Sequence, residues 1–215
     1  MKNPIRAISL AVLTMALFVV SNPSSAQEVS RRNPTFGIKG GINLNNLYVD
    51  NVTDQNMKVG ANVGLYAKLP VATGFAVQPE ITYSMKGSQT TYNSVLGSGK
   101  YRFNLDYLEV PVAAVVNIAP NFNIHAGPYV AFLLSAKVKD VDANGTVNGV
   151  TQLNTDNFHS TDWGLFGGLG FDIGGATLGA RYTKGFQEVG KPGATSNFLQ
   201  NAKNSGFTFY VGIGL

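Results

Sequence analysis

Apolar residues repeatedly occupy every second position of this chain. In residues 74–87, GFAVQPEITYSMKG, one set of alternate positions runs apolar from Phe75 to Met85, and the other set is largely polar. A period of two predicts a β-strand, because successive side chains of a strand point to opposite faces. The length of this unbroken apolar face raises the question of what covers it.

The same alternation recurs along the chain and predicts eight strands, with no segment of helical period. The connections alternate strictly between short turns and long polar loops, which is typical of an up-and-down outer-membrane barrel whose short turns face the periplasm. Strands of this length fit the roughly 9–11 residues needed to cross a bilayer at a tilt. The predicted strands are residues 35–45, 57–69, 74–87, 101–117, 121–137, 162–173, 176–187 and 206–215, and the predicted long loops are residues 46–56, 87–100, 138–161 and 188–205.

We therefore predict an all-β protein, an eight-stranded antiparallel up-and-down transmembrane β-barrel. Its apolar strand faces meet lipid and its polar faces line the lumen. Only a closed barrel lets strands cross lipid with every backbone group paired.

Residues 1–26 have the layout of a cleaved signal peptide. Lys2 and Arg6 precede an apolar run that is interrupted by polar residues, and small residues end the segment at Ala26. The run is shorter than the roughly 20 apolar residues of a membrane-spanning helix, so an uncleaved anchor is the less favoured alternative. We predict export to the outer membrane of a Gram-negative bacterium, cleavage after Ala26, a short periplasmic segment over residues 27–34 and the barrel over residues 35–215.

The composition fits this class of protein. Charged residues make up 13% of the chain, below the roughly 25% of soluble domains. There is no cysteine, so neither a disulfide framework nor a lipid-modified cysteine is available. Without residues 1–26 the formal net charge falls from +4 to +2, and no basic run exceeds Arg31-Arg32, which argues against a nucleic-acid partner.

The fourth predicted strand, within YRFNLDYLEVPVAAVVNI, changes its apolar phase between Tyr107 and Leu108. A slip of one residue moves every side chain to the other face. Either a β-bulge lies near Asp106–Leu108, or Tyr107 points into the lumen beside Glu109. Pro111 cannot donate to the ladder, which favours a local irregularity. We predict the bulge.

Four charged residues fall on the lumen phase of their strands, near mid-barrel. A charge in a dry lumen is tolerated only when it is paired and hydrogen-bonded. We predict a structural network of ion pairs that fills the lumen, and the alternative is a path for protons or ions. The four residues are Lys39, Glu80, Glu109 and Arg181.

The predicted loop of residues 138–161 contains oxygen ligands at the spacing of a calcium loop. Thr151 occupies the twelfth position, where a bidentate Glu is wanted, and no flanking helix is predicted. A polar hairpin loop is therefore preferred, and a calcium site is the alternative. The spaced residues are Asp140, Asp142, Asn144 and Gly145.

Neither of the two histidines lies in a catalytic or metal-binding motif. His125 is on a predicted strand and His159 in a long loop, without a serine nucleophile motif or a second histidine at ligand spacing. We predict a protein that is not an enzyme, with no catalytic residue, no cofactor and no metal.

Six segments of the chain resemble successive strands of the PorT-like outer-membrane β-barrel family. They are FGIKGGINLNNL, QPEITYSMKG, LDYLEVPVAAVV, HAGPYVAFLLSAKV, WGLFGGLGFDI and GARYTKGF. The resemblance spans nearly all of residues 35–215 and implies the barrel fold. It implies less about function, since PorT is implicated in protein secretion but most members have no assigned activity. Leu215 departs from the pattern, because such barrels usually end in an aromatic residue.

Three functions are compatible with this fold. We favour a filled barrel that acts as an envelope scaffold or binds a partner through its surface loops. An accessory role in outer-membrane protein secretion is the alternative, and a narrow channel is third, because eight strands leave an interior just wide enough for side chains. The expected partners are outer-membrane lipid, the barrel insertion machinery and other envelope or secretion proteins, and the expected state is a monomer.

The signal peptide gives a first testable prediction. Intact-mass spectrometry of the protein from outer membranes should show a chain that begins at Gln27. The variant Ala26→Phe should accumulate as the precursor, because cleavage needs a small residue before the cut. A mature chain that keeps residues 1–26 would contradict the prediction.

Overall fold

The computed structural model describes residues 33–48, 56–94, 97–142, 146–193 and 201–215. Regular structure in these ranges is β-strand apart from one short 3-10 turn. No helix among the described residues is long and apolar enough to cross a membrane. The strands are β1 (Thr35–Tyr48), β2 (Asn56–Ala72), β3 (Phe75–Ser94), β4 (Gly97–Ala119), β5 (Phe122–Asp142), β6 (Val147–Gln152), β7 (Thr161–Ile173), β8 (Ala176–Glu188) and β9 (Lys203–Gly214).

Eight of the strands close into a ring of antiparallel pairs. Each pairs with the next barrel strand along the chain, and β9 returns to pair with β1. β5 pairs with β4 along one edge and with β7 along the other, so the ring has no open edge at this point. The short strand β6 lies outside the ring and pairs with the far end of β5. The ring confirms the predicted eight-stranded antiparallel barrel.

The two ends of the barrel differ. Two-residue turns join β2 to β3, β4 to β5 and β7 to β8, where the sequence predicts short turns. Gly74 and Gly174 in two of these turns have φ of 75° and 61°, a left-handed conformation that glycine adopts at little steric cost. We call this end of the barrel the turn end, and the opposite end the loop end.

One of the predicted long loops, residues 87–100, is largely strand, so its prediction as a loop was wrong, whereas residues 138–161 contain the predicted polar hairpin. β3 and β4 continue through most of residues 87–100 and form a long hairpin. β5 and β6 form a second hairpin within residues 138–161. Strand pairing continues here beyond the apolar belt because Thr, Val and Tyr residues favour extended backbone. The other two predicted loops, residues 46–56 and 188–205, lie partly outside the described residues.

Large apolar side chains cover the outside of the barrel. Val59 and Leu65 on β2 are 66% and 60% exposed, and Trp163 on β7 packs edge-on against Phe186 while remaining 52% exposed. A soluble monomer rarely exposes so large an apolar surface, so this belt requires an apolar surrounding. Further members of the belt are Ile38, Ile42, Val63, Ile81, Leu165, Leu169, Phe171, Leu178, Phe209, Val211 and Ile213.

The predicted bulge in the fourth strand was wrong, and Tyr107 points into the lumen. Tyr107 and Leu105 are both 1% exposed, and β4 keeps an uninterrupted register with β3 past both residues. The register shift lies between β4 and β5, where Asp106 faces Ser135 and Tyr107 faces Leu133. The extra residue is therefore Leu134 of β5. β4 needs no slip because the loop end of the lumen is itself apolar and accepts these side chains.

Glycines in the barrel wall make room for large lumen side chains. Gly179 lies opposite Tyr210, and a Cβ atom at Gly179 would lie 2.5 Å from the Tyr210 hydroxyl. A Cβ atom at Gly168 would lie 2.6 Å from Nε2 of His125. Any larger residue at these positions would displace the ring beside it.

The lipid-facing belt predicts that an arginine introduced on β2 destabilises the barrel more at the middle of the bilayer than near its interface. Leu65→Arg should lower the free energy of unfolding by about 2–4 kcal/mol, because it places a charge among the lipid chains, whereas the cost falls to roughly 0–1 kcal/mol near an interface. Val71→Arg is the control, since Val71 lies near the turn end of the same strand and is 57% exposed. Denaturant unfolding in lipid vesicles measures both, and equal costs would contradict the assignment of this face to lipid.

Candidate functional site in the barrel lumen

Glu80 is the centre of a buried ion cluster that joins three strands. Lys39 of β1 donates from Nζ to Glu80 Oε2 at 2.7 Å. Arg181 of β8 binds the same carboxylate with both terminal nitrogens, at 3.0 Å to Oε2 and 2.9 Å to Oε1. Gln78 adds a fourth donor at 2.8 Å. We call Lys39, Glu80 and Arg181 the lower ion cluster; its formal charge is +1.

Aromatic rings cover the cations of the lower ion cluster. Nζ of Lys39 lies 4.3 Å from the centre of the Tyr210 ring, and the Arg181 guanidinium lies 4.1 Å from the centre of the Phe166 ring. Both distances are within the range of cation–π attraction. Nε2 of His125 lies 3.5 Å from Nε of Arg181 and 3.4 Å from the Tyr210 hydroxyl. His125 is therefore part of the packing around Arg181.

A second ion cluster lies nearer the loop end. Lys86 of β3 contacts the Glu109 carboxylate, and its Nζ lies 3.9 Å from Asp162 Oδ2. Asp162 Oδ2 accepts hydrogen bonds from the Tyr129 hydroxyl at 3.0 Å and from Asn204 Nδ2 at 3.1 Å. We call Lys86, Glu109 and Asp162 the upper ion cluster; its formal charge is −1.

The structure thus divides the four charges predicted from the sequence. Lys39, Glu80 and Arg181 come together, whereas Glu109 pairs with Lys86 in the other cluster. Sequence reasoning missed Lys86 and Asp162 as lumen charges. Lys86 lies on the polar phase of its strand and could have been included, but Asp162 opens β7 directly after an irregular segment, where no alternation precedes it.

A small polar cavity separates the two clusters. It has a volume of about 20 Å³, and its wall includes Lys39 and Arg181 from the lower cluster and Glu109 from the upper cluster. Side-chain hydrogen bonds join the neighbouring strands β2, β1 and β9 beside it, since Asn43 accepts from Asn62 at 2.8 Å and from Thr208 at 3.0 Å. The two clusters carry opposite formal charges and face each other across the cavity, so their six charged groups together are neutral.

Above the upper ion cluster, apolar side chains close the loop end of the lumen. Phe158, which follows the 3-10 turn Thr155–Asn157, is 2% exposed and belongs to the same buried cluster as Leu105. Backbone hydrogen bonds hold this segment over the mouth, from His159 N–H to the Val189 carbonyl at 3.0 Å and from Val189 N–H to the Ala202 carbonyl at 2.8 Å. We call the following residues the mouth layer: Leu47, Leu105, Ala136, Phe158, Val189 and Ala202.

The residues at the spacing of a calcium loop lie in the hairpin that β5 and β6 form. Asp140 and Asp142 lie on β5, and Asp142 Oδ1 accepts from the Thr146 N–H at 2.8 Å, a contact that closes the hairpin. Asn144 and Gly145 lie outside the described residues. Within the described ranges, no three His, Cys, Asp or Glu side chains are grouped so that they could hold a metal.

A family profile described as outer membrane protein beta-barrel domain matches residues 25–189. Ail of Yersinia pestis, solved with the heparin analogue sucrose octasulfate, is similar at 12% identity and a TM-score of 0.49, over 85% of this chain and 99% of Ail. Neisserial surface protein A is similar at 9% identity and a TM-score of 0.48, over 86% of this chain and 100% of that protein. OprG of Pseudomonas aeruginosa is similar at 15% identity and a TM-score of 0.39, over 86% of this chain and 95% of OprG. No curated protein matches the chain.

The lower ion cluster predicts strong coupling between Glu80 and Arg181. Either Glu80→Gln or Arg181→Met alone should lower the free energy of unfolding by about 3–5 kcal/mol, because each leaves a buried charge without its partner. The double variant should cost less than the sum of the two. Denaturant unfolding in vesicles measures this cycle.

A matched control cycle combines Arg181→Met with Lys58→Met. Lys58 is also buried, but its Nζ donates to the backbone carbonyl of Lys86 near the loop end. These two changes should be additive to within about 0.5 kcal/mol. Additive costs in the Glu80 and Arg181 cycle would show that the two side chains do not act as a pair.

Proposed function

Because the chain belongs to the outer membrane protein β-barrel domain family, we propose that it acts as a closed, non-enzymatic barrel of the outer membrane. In this proposal the barrel is an envelope scaffold that presents its loop end to a partner at the cell surface. The observation that carries the proposal is the filling of the lumen at three successive levels.

Each level closes the lumen by different chemistry. The lower ion cluster joins β1, β3 and β8, and the upper ion cluster joins β3, β4 and β7. The mouth layer then covers the loop end with apolar side chains. The polar space between the clusters measures only about 20 Å³, close to the minimum that holds a single water molecule.

This filling argues against a channel. A permeating ion would have to break buried ion pairs and cross an apolar layer, and the loss of one partner from a buried pair alone costs about 3–5 kcal/mol. Eight-stranded barrels in general have interiors just wide enough for side chains. The side chains that line the described lumen instead bind each other, which suits a scaffold.

The loop end supplies the surface for a partner. The β3–β4 hairpin and the β5–β6 hairpin both extend past the apolar belt, and every described residue of β6 is exposed. A secretion role is the second candidate, favoured by the resemblance to PorT-like strands. Photo-crosslinking from exposed β6 positions in intact cells distinguishes the scaffold role from the secretion role. A component of the secretion system would be captured only if the barrel takes part in secretion.

The closed lumen predicts the absence of conductance. The purified protein in planar bilayers should show no stable single-channel steps, and vesicles that contain it should not admit small sugars. Glu80→Ala combined with Arg181→Ala should also remain closed, because the upper ion cluster and the mouth layer still block the path. A leak is expected only when Phe158→Gly and Lys86→Ala are added.

Val150→Ser is the control for these variants, since Val150 is 55% exposed on β6, the strand that lies outside the ring. Each variant must first show the gel-mobility difference between unheated and boiled samples that marks a folded barrel. Steady, reproducible openings of the wild-type protein would contradict the proposed function.

A further inference from the structure

Two oxygen atoms in the wall of the polar cavity are buried without a hydrogen-bond or ion-pair partner among the described residues. They are Oγ1 of Thr82, a residue that is 5% exposed, and Oδ1 of Asn62, a residue that is 6% exposed. Asn62 donates from its amide nitrogen to Asn43, so its oxygen is the atom left over. Buried polar groups are nearly always hydrogen-bonded, because an unpaired one destabilises the fold. Two such atoms in one wall indicate a ligand in the cavity.

The register of the strands places the Thr82 hydroxyl between the two ion clusters. Thr82 of β3 pairs with Gly64 of β2 on one side and with Glu109 of β4 on the other. Gly64 in turn pairs with Lys39 of β1. Lys39 of the lower ion cluster and Glu109 of the upper ion cluster therefore end one row across four strands, about 14 Å apart at the backbone for strands about 4.8 Å apart.

Gly64 leaves this row open in its middle. A Cβ atom at Gly64 would lie 2.6 Å from Thr82 Oγ1, so a side chain there would occupy the space beside the hydroxyl. Lys39, Thr82 and Glu109 all line the cavity. The row thus leaves a gap between a cation of one cluster and a carboxylate of the other.

The size and the donor and acceptor groups of the cavity fit one water molecule. Its volume of about 20 Å³ has room for a single water, which needs two to four polar partners. Nζ of Lys39 has three N–H donors and gives one to Glu80. The Thr82 hydroxyl can also donate, whereas Asn62 Oδ1 and the Glu109 carboxylate accept. Two donors and two acceptors complement the four hydrogen bonds of water.

The charges of the wall argue against an ion in the same place. A free cation would meet Lys39 and Arg181, and a free anion would meet the Glu109 carboxylate. Like charges repel strongly in surroundings that contain little water. The ligand that fits is therefore neutral.

We propose that the polar cavity binds one ordered water molecule that joins the lower and upper ion clusters. The water accepts from Lys39 Nζ and from the Thr82 hydroxyl, and it donates to Asn62 Oδ1 and to the Glu109 carboxylate. The two ion clusters then share one hydrogen-bonded network along the lumen. A buried water with this many partners is costly to remove, so it stabilises the filled lumen whatever partner the loop end binds.

The substitution Thr82→Val tests the proposal by the sign of its effect, because valine keeps the shape of threonine and removes the hydroxyl. If the hydroxyl donates to the water, the unfolding equilibrium constant in lipid vesicles should rise about fivefold, the loss of one hydrogen bond. If the hydroxyl has no partner, its removal should lower that constant. An unchanged or lower constant for Thr82→Val would overturn the proposal.

Thr177→Val is the matched control for this measurement. The Thr177 hydroxyl donates directly to Asp172 Oδ1 at 2.6 Å, so its removal shows what the loss of one hydroxyl hydrogen bond costs in this barrel. Both variants must first show the gel-mobility difference between unheated and boiled samples that marks a folded barrel.

A crystal structure of the wild-type protein keeps the test decisive if Thr82→Val does not fold. It should show one ordered peak within hydrogen-bond distance of Thr82 Oγ1 and Asn62 Oδ1. Crystals grown in bromide or rubidium salts should show no anomalous signal at this peak, because the proposed ligand is neutral. The absence of a peak, or an anomalous signal from either ion, would overturn the proposal.

The water site and the closed barrel can fail separately. A dry cavity would overturn the water site but leave the lumen blocked by the two ion clusters and the mouth layer. Channel openings of the wild-type protein would contradict the closed barrel, and they are measured without reference to the water.

Discussion

A strand that crosses lipid can leave no backbone N–H or C=O group without a partner, because the hydrocarbon offers none. Closure of the ring through the β1–β9 pair meets this condition. It also fixes the two-sided chemistry of the strands that cross the membrane, with large apolar side chains outside and the two ion clusters inside. The charges of the lumen follow from the same surroundings, since a charge on the lipid face at the middle of the membrane costs about 2–4 kcal/mol.

The charges inside the barrel contribute to specificity more than to stability. A buried ion pair gains little over well-packed apolar residues, but the loss of one partner is expensive. Glu80 binds groups from β1 and β8 at once, so a register slip of any of these strands would separate the pairs. The lower and upper ion clusters also carry opposite formal charges, so each stabilises the other across the small cavity between them.

The alternation of apolar residues was sufficient to predict the eight barrel strands and the inward direction of Lys39, Glu80 and Arg181. The alternation could not predict which lumen charges form ion pairs. It shows which face of a strand a side chain lies on, but not how far along the barrel axis that side chain lies relative to those of other strands. Sequence reasoning therefore placed all four predicted charges in one network, without the ion pair that Glu109 makes with Lys86. The mouth layer escaped prediction for a different reason: Phe158 and Val189 come from segments without any period, and only the tertiary structure brings them together.

The pairing of the first barrel strand with the last has a consequence for how the protein assembles. Gly37 of β1 pairs with Gly214 of β9, so the contact that closes the barrel joins residues near opposite ends of the sequence. Contacts of such wide separation form slowly, because the entropy of closing the intervening chain is lost before the contact is gained. Until β9 has arrived, β1 has an open edge that can pair with another chain. The β1–β9 pair therefore decides whether the growing sheet ends as a closed ring or keeps an edge that is open to another chain.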